Sequence, residues 1–171
     1  KSGEGARRYL AARALNPETI KAFNLGYALP SWDSFLRHAR KKGYESEELL
    51  EAGLILERKT GGGYYDRFRN RLIIPVGDVR GRTIAFGGRV LDDSKPKYIN
   101  SPDTPLFRKG NMLFGLHLAR EAIRESGEAI IGEGYFDVSR AHQSGIRNII
   151  SSQAPALTAV QAQILKRYTD R

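Results

Sequence analysis

A chain of 171 residues with a formal net charge of +9 is long enough for one domain, or two small lobes, around a real core. It has no cysteine, which excludes disulfides and cysteine-based zinc sites, and three scattered histidines leave little for a histidine-based one. No apolar run approaches a membrane span and the first residues are no signal peptide, so a soluble cytoplasmic protein without a membrane partner is expected.

In chain order, residues 1–5 read as the interior of something longer. Residues 6–15 have helical spacing, with Tyr9, Leu10, Arg13 and Ala14 on neighbouring faces. Asn16 caps a second helix, with Pro17 at its first position and Glu18 in its first turn. Residues 25–28 are extended before Pro30. Ser31 is placed to cap a third helix over 32–42, with Phe35, Leu36 and Ala39 inward and Gly43 as the stop. A short fourth helix starts at Ser46 and closes at Gly53. This first third is small, helical and nearly neutral, and reads as packing scaffold.

The character changes at Leu54. Residues 58–110 carry 12 basic and 5 acidic side chains, a net of +7, whereas the flanking segments are close to balanced. Such local clustering points to a surface facing a polyanion, nucleic acid or nucleotide phosphate; a solvated basic face is the alternative. Residues 54–56 form a strand and Gly61-Gly62-Gly63 a turn. Basic residues alternate through 64–71. Residues 72–76 and 83–86 flank the turn Asp78-Val79-Arg80-Gly81, which makes an antiparallel pair. Gly87 and Gly88 could let a backbone pass close to a phosphate gripped by Arg89; a strand bulge is the alternative. Residues 94–110 are proline-rich and polar, a long loop or short strands bearing Lys97, Arg108 and Lys109.

A helix over 115–126 ends at Gly127. Ala129-Ile130-Ile131 then reads as a short buried strand, Gly134 as a tight turn and Asp137 as part of the next helix's first turn. Glu133 and Asp137 would then lie at the carboxyl edge of a sheet, where open α/β folds place ligands. Two hard oxygen ligands there could hold Mg²⁺ with several of its waters kept. Solubility and helix capping would supply the same two acids. Helix, strand over 147–151 and helix over 158–168 complete a parallel α/β unit with only two strands, whose edge beside Ile149 and Ile150 is expected to be left unpaired.

Several of these segments occur together and in order: YLAARAL (9–15), YDRFRNRLIIPV (65–76), GRTIAFGGRVL (81–91), PKYINSPDTPLFRKGNMLFGL (96–116) and EGYFDV (133–138). They resemble the RNA polymerase core of the bacterial DNA primases of the DnaG type, over almost the whole chain. The resemblance implies an α+β basic N-terminal lobe, residues 1–127, followed at 128–171 by a partial α/β Toprim-type domain with parallel strands. It implies primer RNA synthesis on single-stranded DNA for replication, by nucleotidyl transfer with Mg²⁺ or Mn²⁺.

Residue by residue, it makes Glu133 and Asp137 the first acidic, metal-holding motif, with Glu133 able to assist proton transfer. Arg13, Arg89, Lys97, Tyr98, Asn100 and Lys109 match positions lining the active-site face against nucleotide phosphates or nucleic acid. Arg67 and Arg69, in an Arg-Phe-Arg motif, fall on the same basic surface. The implied partners are a single-stranded DNA template, NTPs and the RNA–DNA hybrid, regulatory guanine nucleotides, and a replicative helicase reached through a C-terminal module outside these residues. The family's zinc-binding module is likewise outside them.

There are departures. The family's Arg-Gly-Leu is Arg13-Ala14-Leu15 here. Its Gly-Thr before Ala-Leu-Thr is Ala154-Pro155, which loses a glycine and an amide donor. The later acidic motifs, beginning with Asp-Gly-Asp, do not occur in these residues. The 171-residue chain is therefore expected to be inactive alone, as a piece of a polymerase core or as a degenerate relative. Two other classes stay open: a single-strand nucleic-acid binding module stacking bases on Tyr64, Tyr65, Phe68 and Tyr98, and a regulatory nucleotide sensor.

Overall fold

Asn16 and Pro17 start a helix as their chemistry requires. Proline gives up no needed donor at the first helical position, and the Asn16 side chain accepts from the Thr19 amide at 2.8 Å. In the computed structural model, which describes residues 3–154 and 156–171, helix α1 spans Glu4–Ala12 and α2 Pro17–Ala22. The expectations placed on residues 1–2 and on Pro155 lie outside the described residues.

Strand β1 (Gly26–Ala28) leads to α3 (Ser34–Lys41), α4 (Ser46–Glu51), β2 (Ile55–Glu57) and β3 (Tyr64–Asp66). The third helix is shorter at its start than its sequence suggests. Trp32 lies outside it, and Ser31 is not its cap. The amides of Phe35 and Leu36 instead donate to the carboxylate of Asp66, at 2.8 and 2.9 Å. A cap supplied from thirty residues downstream leaves no local signal. Phe35 is also exposed rather than inward; Leu36 and Ala39 are buried with Leu49 and Ile55.

Strands β4 (Arg71–Gly77), β5 (Thr83–Val90) and β6 (Tyr98–Asn100) join β1 in an antiparallel sheet of order β1-β4-β5-β6. Alternation divides its faces. Leu72, Ile74, Val76 and Ala85 are buried against α1, α2 and the later helix that opens at Tyr135, with Phe23, Tyr135 and Phe136. Ile73 and Phe86 line, with Tyr27, Phe35 and Phe68, an apolar cavity of about 480 Å³ on the α3 side.

A 3₁₀ turn (Lys109–Asn111) precedes α5 (Leu116–Ser126), β7 (Ile130–Gly132), α6 (Tyr135–Gln143), β8 (Ile149–Ser151) and α7 (Ala159–Leu165). Strands β7 and β8 pair in parallel, so the α+β lobe followed by a parallel α/β unit is present as expected. Helix α5 shares a core with β8 and α7 through Leu116, Ala119, Ile123, Ile150 and Leu165.

Two expectations about this sheet are corrected. Ile130 and Ile131 are not buried; they are 43% and 47% exposed, because β7 has no strand on its outer side among the described residues. The edge beside Ile149 and Ile150 is not the open one. Both are buried, and Phe114 and Ser151 exchange two backbone hydrogen bonds there, at 2.8 and 3.0 Å. At the outer side of β7 the Ala129 amide donates to the Arg171 carbonyl at 3.0 Å.

Candidate polyanion and metal site

The site begins with a register. Arg89 on β5 stands directly opposite Tyr98 on β6, and its guanidinium lies 4.8 Å from the tyrosine ring centre. Helix α1 crosses above. Tyr9 and Arg13 sit four residues apart on one helical face. The Arg89 guanidinium is 5.2 Å from the Tyr9 ring, and that of Arg13 is 5.1 Å from Tyr9 and 4.7 Å from Phe136. Stacking cations on ring faces offsets part of the cost of drawing them together.

The same side of β5 carries Gly87. A Cβ there would stand 2.7 Å from the Tyr135 ring. A Cβ on Gly88, facing the other side, would stand 2.7 Å from Phe68. Neither glycine has a positive φ, and neither is a bulge, since both keep regular partners on β4 and β6. Their role is therefore room for two aromatic rings, rather than close approach to phosphate. With Gly87 bare, Tyr135 is buried and its hydroxyl donates to Asn100 Oδ1 at 2.9 Å; burial pushes the phenol well above its ordinary range. The carbonyl of Asn100 accepts from Arg67 Nη2 at 3.0 Å. Burial holds Arg67 below its ordinary value, which is too high for the charge to be lost near neutrality.

Tyr135 and Phe136 open α6 between the two acids. Glu133 and Asp137 are both exposed, flanking the turn. Asp137 Oδ2 accepts from the Gly134 amide at 2.9 Å, so capping and ligand readings coexist on one side chain. The Glu133 carbonyl accepts from Ser151 Oγ at 3.1 Å, which ties the turn to the end of β8. The donor set is hard oxygen, suited to Mg²⁺ or Mn²⁺. Among the described residues no third His, Cys, Asp or Glu joins these two in a metal-binding group.

Arg13, Arg67, Arg89, Tyr98 and Asn100 are thus brought into one connected cluster with the acidic turn. Lys97 precedes Tyr98 and is exposed; Lys109 is exposed in the 3₁₀ turn, its amide donating to Asp103 Oδ1 at 3.2 Å. Arg69 is turned elsewhere, onto Trp32 and Tyr65. Among the described residues, none of the six cations is in an ion pair with a carboxylate. Arg89 is 7% exposed, and its Nε has no hydrogen-bond partner in the protein.

Several contributors are invisible to motif reading. Arg71 is buried at the start of β4, and its two terminal nitrogens each donate to the Pro96 carbonyl at 3.1 Å, fixing the loop that presents Lys97. A charged residue opening an otherwise apolar strand was the available signal. Gln143 accepts from the Asn16 amide at 2.8 Å and donates to the Ala14 carbonyl at 2.7 Å, clamping the α1–α2 turn onto the end of α6. Ala14 itself has φ 54°, the left-handed conformation that glycine adopts freely.

Comparison with known proteins places these features in a family. A family model described as the DNA primase catalytic core, N-terminal domain, matches residues 1–120. The chain is 50% identical over 159 residues to a DNA primase of Deinococcus radiodurans, covering 93% of this chain and 28% of that protein. The Escherichia coli primase catalytic core superposes with a TM-score of 0.91 at 40% identity, over 99% of this chain and 54% of that one. A DnaG primase catalytic domain bound to ssDNA superposes at 0.86 with 40% identity, over 97% and 51%. The chain therefore spans about a quarter of the length of the curated relatives it matches. Among the described residues no helix is long and apolar enough to cross a membrane.

Proposed function

The chain belongs to the DNA primase catalytic core family, and on that premise we propose that it is part of the core of a DNA-dependent RNA polymerase that makes short RNA primers on single-stranded DNA for replication. Residues 1–127 are the basic N-terminal lobe and 128–171 the first part of the Toprim-type domain. The observation that carries the proposal is the interlock of these two parts. The turn bearing Glu133 and Asp137 inserts Tyr135 and Phe136 among Gly87, Asn100, Arg13 and the Arg89–Tyr98 pair. We read the acids of that turn as the cation site, and the cations around Tyr135 and Phe136 as the phosphate site beside it.

Each residue has a task. Arg89, Lys97 and Lys109 neutralise and orient nucleotide phosphates, and Arg13 extends that surface toward nucleic acid. Arg67 fixes the Asn100 backbone, and the Asn100 amide, held by Tyr135, is a neutral donor at the same face. Tyr98 presents a partly exposed ring beside a guanidinium, suited to a base or ribose. Glu133 and Asp137 hold Mg²⁺ or Mn²⁺, and Glu133 also assists proton transfer. The cation, when bound, acidifies the attacking 3′-hydroxyl and offsets charge on the pyrophosphate leaving group. Positioning and charge neutralisation account for most of such a reaction's acceleration.

Template strand, NTPs and the RNA–DNA hybrid are the ligands of this face. Regulatory guanine nucleotides would compete with NTPs for the same cations. The helicase partner is engaged outside these residues, and two carboxylates alone leave the 171-residue chain inactive. The test is Lys97→Ala in the longer parent enzyme. It is expected to raise KM for NTPs while leaving thermal unfolding unchanged. Normal primer synthesis by that variant would overturn the assignment.

A further inference from the structure

Five side chains at the main face form a row in which ring and cation alternate. The Arg13 guanidinium stands 4.7 Å from the Phe136 ring centre and 5.1 Å from that of Tyr9. The Arg89 guanidinium stands 5.2 Å from Tyr9 and 4.8 Å from Tyr98. The row runs from the first turn of α6, beside Glu133 and Asp137, to β6. Tyr9 is its middle member, the ring that meets both guanidiniums.

Neighbouring residues hold Tyr9 there. Leu10, next along α1, is buried and shares a cluster with Leu72 and Phe136. Leu72 stands opposite Arg89 across the β4–β5 ladder. The packing that seats α1 on the sheet therefore also sets Tyr9 over Arg89. Arg13 follows about one helical turn later, on the same face.

The arginines need such a neighbour. Arg89 is buried, and neither it nor Arg13 is in an ion pair with a carboxylate among the described residues. Two guanidiniums drawn together repel, and more strongly where water is excluded. A ring face carries partial negative charge and attracts each of them. An aliphatic side chain in the same place would fill the space without that attraction.

We propose that Tyr9 is a positioning residue whose ring fixes the guanidiniums of Arg13 and Arg89 in the orientation that meets nucleotide phosphate. This rests on the polymerase-core reading, in which those arginines face phosphate, and adds to it what holds them ready. Tyr9 acts through the two arginines and not on the nucleotide itself. Cations fixed in advance lose less freedom when the phosphate arrives.

The test is steady-state primer synthesis by the longer parent enzyme and its Tyr9→Leu and Tyr9→Phe variants, with NTP concentration varied. Leucine keeps apolar bulk and loses the ring; phenylalanine keeps the ring. Tyr9→Leu should raise KM for NTPs roughly tenfold, within the worth of a partly desolvated cation–ring contact. Its kcat should change by less than about twofold, the mark of lost binding rather than lost chemistry. Tyr9→Phe should restore most of the affinity. Arg89→Lys, which keeps the charge and loses the planar stack, supplies the second arm. Combined with Tyr9→Leu it should raise KM by less than the product of the two single effects, because both changes strike one contact.

A parental KM in Tyr9→Leu would overturn the proposal. So would single effects that multiply in the double variant, or a Tyr9→Phe enzyme as impaired as Tyr9→Leu. A drop in melting temperature with KM unmoved would make Tyr9 a packing residue and overturn it equally. If Lys97→Ala raises KM in the same assay, the phosphate assignment of this face survives any of those failures. If Lys97→Ala is also parental, the phosphate assignment falls with the proposal.

Discussion

Tyr135 lies against Gly87 so closely that a single methyl group at Gly87 would stand 2.7 Å from the ring. Gly87→Ala should therefore push Tyr135 off Asn100 and loosen the docking of the acidic turn. The expected loss is about 1–3 kcal/mol of stability, as for overpacking elsewhere. Gly26→Ala, where the nearest atom is 4.0 Å away, is the control and should be close to neutral. Urea denaturation of both variants checks this; equal midpoints would mean that Tyr135 has room to move.

Ala14 occupies a left-handed position at φ 54°. A Cβ there costs roughly 1 kcal/mol relative to glycine. Ala14→Gly should accordingly stabilise the chain, by somewhat less than that once the unfolded state's extra freedom is deducted. A lower melting temperature in that variant would show that the strain is relieved some other way, with the Gln143 clamp the first place to look.

The exposed lysines give a cleaner electrostatic test than the buried arginines. Neutralising Lys97 and Lys109 together removes two exposed positive charges without touching the core. The slope of log affinity for a single strand against log salt should become shallower by about 1.4, at about 0.7 per charge. An unchanged slope would place the nucleic acid elsewhere.

His117 and His142 are both held below their ordinary value, in each case chiefly by burial. His142 also packs edge-on to Phe23, with centres 5.4 Å apart. Their folded pKa lies under the unfolded one, so below about pH 6.5 the unfolded chain binds more protons. Stability should be flat above that pH and fall as pH drops, until the folded values are also passed. Urea midpoints from about pH 7.5 down to about pH 5 measure it. His142→Gln should lessen the fall; a fall of the same size would remove His142 as a cause.

Much of this was legible because it is local. The Asn16–Pro17 helix start, the β4–β5 hairpin and the strand–turn–helix around Glu133 depend on neighbours in sequence, and their residues announce them. The resemblance of whole segments supplied which cations to group. What stayed hidden is long-range. Asp66 caps a helix from thirty residues away, so Trp32 looked helical. Gly87 and Gly88 looked like phosphate glycines, because the rings they accommodate belong to Phe68 and Tyr135. Ile130 and Ile131 looked buried, because an apolar pair reads alike whether or not a strand lies beside it. Arg69 sits in the same motif as Arg67, yet two residues along the chain its side chain has a different aromatic environment.

The measurement closest to the central claim is primer synthesis on a single-stranded template with Mg²⁺ or Mn²⁺. It compares the longer parent enzyme, its Glu133→Gln variant and the 171-residue chain. The parent should make primers. Glu133→Gln should reduce synthesis by more than about a hundredfold, the upper end of what removing a group outside the ligand shell costs. The 171-residue chain alone should make none. Undiminished synthesis by the Glu133→Gln parent would contradict the assignment of the acidic turn, and with it the reading of this face as a nucleotidyl-transfer site.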